Sequence, residues 1–238
     1  MTRTGLLLAG LLLAGPAAAD PAGDLLAAVD EVSNRGDDAH LVLDVETTDA
    51  RGNPAERTLE LWQKGTDKRL VKFTAPARLA GVGMLVPDGD TIYLYLPSYG
   101  RVRRVIGEAQ GDSFVGTDFA MEDLARISWA DDYVPELVED HHLRLTPKDP
   151  TDSSSARVDL HVRESDKLPA RVEHYDAEGN LLRRIAFDDV REVDGRPLAH
   201  AIVVDDISRS RTTRATVQSA AFNRGLEDDL FTVNALSR

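Results

Sequence analysis

Four acidic side chains and a serine lie close together in the segment from residue 111 to 127, whose sequence is GDSFVGTDFAMEDLARI. Neighbouring carboxylates can hold a metal ion or serve as general acid and base. The structural alternative is a helix start, in which Asp118 is the N-cap and Glu122 and Asp123 occupy the first turns, where the helix dipole favours negative charge. We predict the helix, with Ala120 and Leu124 on its apolar stripe.

The tripeptide GDS at 111–113 also occurs around the nucleophile of one group of lipases and esterases. In that group an Asp-x-x-His pair follows near the C-terminus, whereas the only such spacing here, from Asp37 to His40, precedes Ser113. The chain also lacks a G-x-S-x-G nucleophile elbow. A hydrolase acting through Ser113 is therefore disfavoured, and we predict that the protein is not an enzyme.

The histidines offer no recognisable metal site. None belongs to an H-E-x-x-H motif or to a pair at helical i,i+4 spacing, and the chain has no cysteine. We predict that the histidines are solvated surface residues and that the chain uses no cofactor. The six are His40, His141, His142, His161, His174 and His200.

Three arginines in one short segment, Arg101, Arg103 and Arg104, are candidates for contact with a polar head group. A guanidinium binds phosphate and carboxylate groups with two parallel hydrogen bonds. An exposed edge strand that carries cations to prevent aggregation is an equally good explanation. The sequence leaves these two interpretations open.

Apolar residues that share strand faces are the most informative class. They occur in pairs or triplets at i, i+2 spacing, which places them on one side of a strand. They could form an ordinary core or the wall of a lipid pocket, and the pattern alone does not separate the two. The residues that we select as a candidate wall are Leu59, Leu61, Val71, Phe73, Met84, Val86, Ile92 and Leu94.

The N-terminus has the order of a secretory signal. Arg3 precedes an apolar run of about eleven residues and then an A-x-A pattern that ends at Ala19. We predict that residues 1–19 are cleaved, that residues 20–238 form one domain, and that the product is periplasmic. Without cysteine it carries no lipid anchor and no disulfide. Its net charge of −13, or −14 without residues 1–19, argues against nucleic acid and against an anionic membrane surface as partners.

The spacing of apolar residues in the mature chain changes from a helical period to the period of a β-strand. Residues 20–35 have helical spacing, and from His40 onward apolar residues alternate with period two. Some strands, such as TIYLYLP at 91–97, are apolar on both faces, so the second face must be covered or line a cavity. Polar residues at 146–155 predict a surface loop. The succession of strand segments separated by turns predicts a single antiparallel sheet of ten or eleven strands, with one helix before it and one in the middle of the sequence.

Three segments resemble the outer-membrane lipoprotein-sorting family, the relatives of the periplasmic carrier LolA. They are LELWQK, the run KFTAPARLAGVGMLVPDGDTIYLYLPSYGRVRRV, and GDSFVGTDFAMEDL. The resemblance covers nearly the whole mature chain and is most specific in its middle third. It implies an unclosed half-barrel of about eleven antiparallel strands, with helices covering a concave apolar face that encloses acyl chains. It also implies that Phe119 and Leu124 lie on the lid side of that cavity.

The family's carrier has an arginine that hydrogen-bonds to the lid and follows closely after the leucine–tryptophan pair matching Leu61-Trp62. Gly65 stands at the corresponding place here, and Arg69 lies nearby. The gating mechanism and the cargo are therefore left open by the sequence.

The resemblance implies a soluble, monomeric periplasmic carrier that does no covalent chemistry and does not insert stably into membranes. Its partners would be the acyl chains of a lipoprotein or lipid, an inner-membrane transporter as donor and an outer-membrane acceptor. The alternative is a periplasmic accessory subunit of an inner-membrane lipid or small-molecule exporter that acts through its outer surface.

Overall fold

The computed structural model describes residues 20–89, 91–151 and 153–238. The predicted signal sequence, residues 1–19, lies outside the described residues. None of the described helices combines the length and the apolar character needed to cross a bilayer.

The described residues fold into one antiparallel sheet with four α-helices, of which α1 is the longest. The strands are β1 (Asp38–Thr48), β2 (Pro54–Lys64), β3 (Lys68–Ala75), β4 (Gly83–Val86), β5 (Ile92–Leu96), β6 (Arg101–Val105), β7 (Tyr133–Glu139), β8 (His142–Pro147), β9 (Arg157–Val162), β10 (Pro169–Tyr175), β11 (Leu181–Val193), β12 (Arg196–Asp206) and β13 (Arg211–Phe222). The helices are α1 (Pro21–Ser33), α2 (Met121–Ala125), α3 (Trp129–Asp132) and α4 (Val233–Leu236).

The strand order is β6-β5-β4-β3-β2-β1-β13-β12-β11-β10-β9-β8-β7. Strands β1 to β6 pair in sequence order, and so do strands β7 to β13. Pairing of β1 with β13 joins these two halves in the middle of the sheet. β6 and β7, which follow one another in the chain, therefore become the two outer edges. The sheet does not close, and residues 106–132 connect its two edges. This confirms the predicted unclosed antiparallel sheet.

The sheet has thirteen described strands, slightly more than the predicted eleven. The interval from 133 to 147 reverses at His141, whose φ of +63° forms a tight turn, and so gives β7 and β8. The strands β4, β5 and β6 have only four or five residues each and reverse over short connections.

The predicted N-terminal helix is confirmed as α1. Asp20 caps it by accepting a hydrogen bond from the Gly23 backbone N–H at 3.0 Å, and Pro21 fits the first helical position. Leu26 and Val29 are fully buried in the core against the inner face of the sheet. Burying two such side chains contributes on the order of 3–6 kcal/mol and fixes α1 on the sheet.

The outer face of β3 to β6 is covered by the C-terminal segment, residues 223–238. Phe231 and Leu236 of this segment pack on Leu70 and Leu85. Tyr93 and Tyr95 also pack against this outer cluster, which explains why β5 is apolar on both faces. The approach is close enough to require glycine in β4, because a Cβ at Gly83 would lie 2.9 Å from a Leu236 methyl group.

Candidate functional site

An apolar cavity of about 280 Å³, here called the inner cavity, opens on the concave face of β10 to β13. The end of α1 and residues 123–129 close its other side. Phe187 and Ile202 lie on its wall and are only partly buried, because one side of each faces open space. The apolar lining includes Leu41, Val172, Ile185, Phe187, Leu198, Ile202, Val217 and Phe222.

None of the predicted wall residues is among those that line the inner cavity; they lie in the packed part of the hydrophobic core. Seven of them are buried and Leu61 is partly buried. Only Ile92 reaches an open space, a polar cleft described below. The predicted lid residues also belong to this core, with Phe119 buried and Leu124 partly buried. Whether this group contacts a cargo stays a prediction.

Residues 112–132, here called the lid, run across the concave face. A small reversal at 113–120 places Phe114 against Phe73, with ring centroids 5.0 Å apart. The predicted N-cap at Asp118 is wrong, since α2 begins at Met121 and is capped at Ala120, whose N–H donates to Asp123. Glu122 and Asp123 lie in the first turn of this five-residue helix, as predicted, and their carboxylates also contact Arg183 of the sheet.

Asp118 fastens the start of the lid to β13. The Thr213 hydroxyl donates a hydrogen bond to the Asp118 carboxylate at 2.7 Å. The backbone N–H of Asp118 donates to the Thr213 hydroxyl oxygen at 3.0 Å. Arg211 pairs with the second carboxylate oxygen at 3.1 Å. Burial raises the pKa of Asp118, and the Thr213 bond and Arg211 act against that rise.

Glu122 and Asp123 bind the opposite half of the sheet. Arg183 of β11 lies 3.4 Å from the Glu122 carboxylate and 3.0 Å from that of Asp123. The Ser154 N–H donates to Glu122 at 3.0 Å. The segment 146–155, predicted as a surface loop, therefore holds the lid through Ser154. Its polar composition gave no signal of this contact.

Arg69 of β3 makes the central lid contact. Its guanidinium donates to the carbonyl of Leu124 at 3.0 Å and to the carbonyl of Arg126, and also to the Gln63 side chain. Burial, with the nearby Arg126, lowers the pKa of Arg69 to about 10, so the group stays protonated at neutral pH. Arg69 also lines the inner cavity. The lid arginine is therefore Arg69, and Gly65 only forms the β2–β3 turn at φ +60°.

His174 of β10 is fully buried beneath the lid, which corrects the prediction of a solvated histidine. The Ser155 hydroxyl lies 3.0 Å from His174 Nδ1, and an Asp123 oxygen lies 3.4 Å from Nε2. Burial, and then the cations Arg183 and Arg126, hold the pKa of His174 well below its usual range. The ring is therefore neutral in the folded protein.

This cluster has the residue types of a catalytic triad and of a metal site, but its contacts favour a structural role. Ser155 is only 3% exposed, so its hydroxyl is covered in this structure. Glu122, Asp123 and His174 place three ligand atoms within 4.8 Å of one another. The Arg183 guanidinium already occupies both carboxylates and supplies the positive charge that a metal ion would bring.

The arginines Arg101, Arg103 and Arg104 lie on the edge strand β6 and are exposed. Arg104 lines a polar cleft of about 440 Å³, here called the edge cleft, between the β6 end and the start of β7. The hydroxyl of Ser113, the other candidate from the sequence, accepts a hydrogen bond from Arg209 at 2.6 Å. None of the described histidines bonds to Ser113.

Comparisons with known proteins agree with this architecture. A family model with the description "Uncharacterized protein" matches residues 65–238. A search of curated proteins found no significant match. Similar folds occur in solved structures, which are described next.

A domain described as an outer-membrane lipoprotein-sorting protein, from Vibrio parahaemolyticus, has a TM-score of 0.79 at 23% identity, over 91% of this chain and 98% of that one. A DUF1329 family protein from Desulfovibrio piger has a TM-score of 0.81 at 24% identity, over 92% and 100%. A LolA superfamily protein from Nitrosomonas europaea has a TM-score of 0.75 at 23% identity, over 90% and 98%. The matched family model covers well over half of the chain, so the chain belongs to that family, and its fold is that of the LolA-like outer-membrane lipoprotein-sorting proteins.

Proposed function

We propose that the protein is a non-enzymatic periplasmic carrier that shields the acyl chains of a lipoprotein or lipid and moves them towards the outer membrane. The observation that carries this proposal is the inner cavity, an apolar space on the concave face that is covered on one side by the lid, which Arg69 holds. The lipoprotein-sorting fold supports the same role. Export through residues 1–19, a transporter donor, an outer-membrane acceptor and a monomeric state belong to the proposal.

The energetics of an acyl chain explain why such a carrier needs a closed cavity. Each methylene transferred from water to an apolar site gains ~0.8 kcal/mol, so a chain of about sixteen carbons gains on the order of 10 kcal/mol. A lipid that crosses an aqueous compartment therefore needs apolar cover along most of its length. Phe187, Ile202 and their neighbours supply that cover on one side, and the lid supplies it on the other.

The size of the inner cavity indicates a closed state. Pockets that hold small molecules begin at about 300 Å³, just above the 280 Å³ found here. A full acyl chain therefore requires the lid to move. The predicted wall residues, from Leu59 to Leu94, share a hydrophobic core with the lid residues Phe114 and Phe119. We propose that movement of the lid uncovers them, so that they line an enlarged form of the cavity.

Two isoleucines of the same strand region give a matched test. Ile202 faces the inner cavity, while Ile207 lies just beyond β12 and is 46% exposed. A glutamate at position 202 would place a charge among apolar side chains, whereas one at 207 would be solvated. We expect Ile202→Glu to remove binding of a fluorescent fatty acid and to lose any co-purified lipid in native mass spectrometry, with Ile207→Glu unchanged.

The result that would overturn the proposal is a lipid-free wild-type protein, purified from its own periplasm, with no affinity for acyl chains. If lipid export in cells depends on the protein but is unaffected by a folded Ile202→Glu variant, the accessory-subunit alternative is favoured instead. Circular dichroism of both glutamate variants establishes that they fold.

A further inference from the structure

The two edges of the sheet differ in their ability to accept another strand. On β7, Pro135 lacks a backbone donor, and the pairing with β8 shifts register between Leu137 and Glu139. Proline and bulges are devices that prevent edge-to-edge pairing. On β6, by contrast, all five residues pair with β5 in one unbroken register, and the strand contains no proline. The outer side of β6 is therefore a regular edge whose backbone can accept a strand, and its arginines would repel basic strands and favour acidic ones.

The β6 edge also concentrates unpaired positive charge. Arg101, Arg103 and Arg104 are exposed and form no ion pair or hydrogen bond through their side chains with any residue that the structure describes. The chain as a whole has a net charge of −13, so a cluster of three free cations is unusual for it. Tyr99 and Ile106 flank the strand and, at 71% and 66%, are the most exposed large apolar residues described.

The side chains of β6 point to both sides of the edge. Val105 packs into the concave core and Val102 against the outer cluster, so Arg103 lies on the concave side and Arg104 on the outer side. A strand placed alongside β6 would present side chains to both arginines at once. Cross-strand pairs of opposite charge are favourable at this spacing.

We propose that β6 is a docking edge, which pairs with an acidic, extended segment of a partner protein as a fourteenth strand. Backbone hydrogen bonds would give affinity, and the arginines would select acidic side chains. Arg104 and Ile106 also line the edge cleft, so the added strand would lie at its rim. This inference concerns recognition of a protein and holds whether or not the inner cavity carries a lipid.

The test uses a labelled peptide in which glutamate alternates with valine, titrated into the mature protein and followed by fluorescence anisotropy. We expect it to bind about tenfold or more tightly than the same peptide with glutamine in place of glutamate. A peptide with methylated backbone nitrogens should not bind. Hydrogen exchange should show protection in β6, which side-chain ion pairing alone would not produce.

A triple variant, Arg101→Gln with Arg103→Gln and Arg104→Gln, should weaken the glutamate peptide about tenfold and leave the glutamine peptide unchanged. Arg214→Gln is the matched control, since Arg214 is an exposed arginine within the sheet, on β13. Fatty-acid binding should be the same in all of these proteins, which separates this proposal from the carrier function.

Three outcomes would overturn the proposal. Failure of the wild-type protein to prefer the glutamate peptide would refute acidic-strand recognition. Binding to vesicles of anionic phospholipid that the triple variant loses, without peptide binding, would assign the edge to a membrane. Self-association that the triple variant abolishes would make the occupant a second copy of this chain.

Discussion

Replacing Arg69 with leucine separates the stability of the lid from the stability of the whole fold. The guanidinium donates to two lid carbonyls, those of Leu124 and Arg126, and both lose their donor in the variant. A hydrogen bond to a charged group contributes ~1.5–3 kcal/mol. Water that enters as the lid loosens can replace one of the two donors, so we expect a total loss of about 1.5–3 kcal/mol for lid closure.

The same change should affect global unfolding much less. Burying a guanidinium costs several kcal/mol in lost hydration, and leucine removes that cost while filling similar space. We therefore expect the free energy of unfolding in urea to change by about 1 kcal/mol or less. The amides of residues 121–127 should nevertheless exchange with solvent about 10–100 times faster, because local opening governs their exchange.

Hydrogen exchange followed by mass spectrometry measures both effects in one experiment. Arg184→Leu is the control, since Arg184 binds Glu173 on the outer face at 2.8 Å and does not touch the lid. Unchanged exchange at 121–127 in Arg69→Leu, or an increase spread evenly over all strands, would refute the assignment of Arg69 as the contact that holds the lid.

Three further substitutions test the buried contacts. His174 stays neutral in the folded protein but takes a proton below about pH 6.5 in the unfolded chain. The free energy of unfolding should therefore decrease by ~1.4 kcal/mol for each pH unit below that value. Between pH 7 and pH 5.5, the free energy of unfolding measured with urea should therefore decrease less in His174→Gln than in the wild-type protein. Equal decreases in the two proteins would contradict a buried neutral ring. Glu122→Ala leaves Arg183 with only the Asp123 carboxylate and leaves the Ser154 N–H without its acceptor, so it should cost about 1–3 kcal/mol, against less than about 1 kcal/mol for the exposed Glu136→Ala. Leu236→Ala should cost about 2–5 kcal/mol in the same assay, and a negligible change would mean that the C-terminal segment is not part of the cooperative fold.

Most of the sheet could be predicted because its information is local. Alternation of apolar and polar residues gives the strands, and Asp20, Pro21 and the spacing up to Val32 give α1. The two apolar faces of β5 indicated that its second face is covered or lines a cavity, and the structure shows that it is covered. The identity of that layer, the C-terminal segment with Leu236, depends on contacts far apart in sequence and could not be derived from periodicity.

The lid was only partly predictable. Its position, as an interruption of the strand pattern, followed from the sequence, but the contacts of its phenylalanines and the roles of its acids did not. Asp118 and Glu122 suit a helix start locally, yet their partners Thr213 and Arg183 lie 95 and 61 residues away. Burial of a carboxylate requires a partner, and the fold alone decides which residue provides it.

The sequence by itself determined an antiparallel sheet with a leading helix, several strands that are apolar on both faces and a segment that interrupts the strands. The tertiary structure decided which apolar residues pack and which face open space, because that depends on where the lid and α1 touch the sheet. It also decided that Arg69, beyond the turn at Gly65, reaches the lid carbonyls, since strand register places its guanidinium there. Alternation along a strand depends on residues that are neighbours in the sequence. The inner cavity and the contact of Arg69 with the lid depend on residues that meet only after folding.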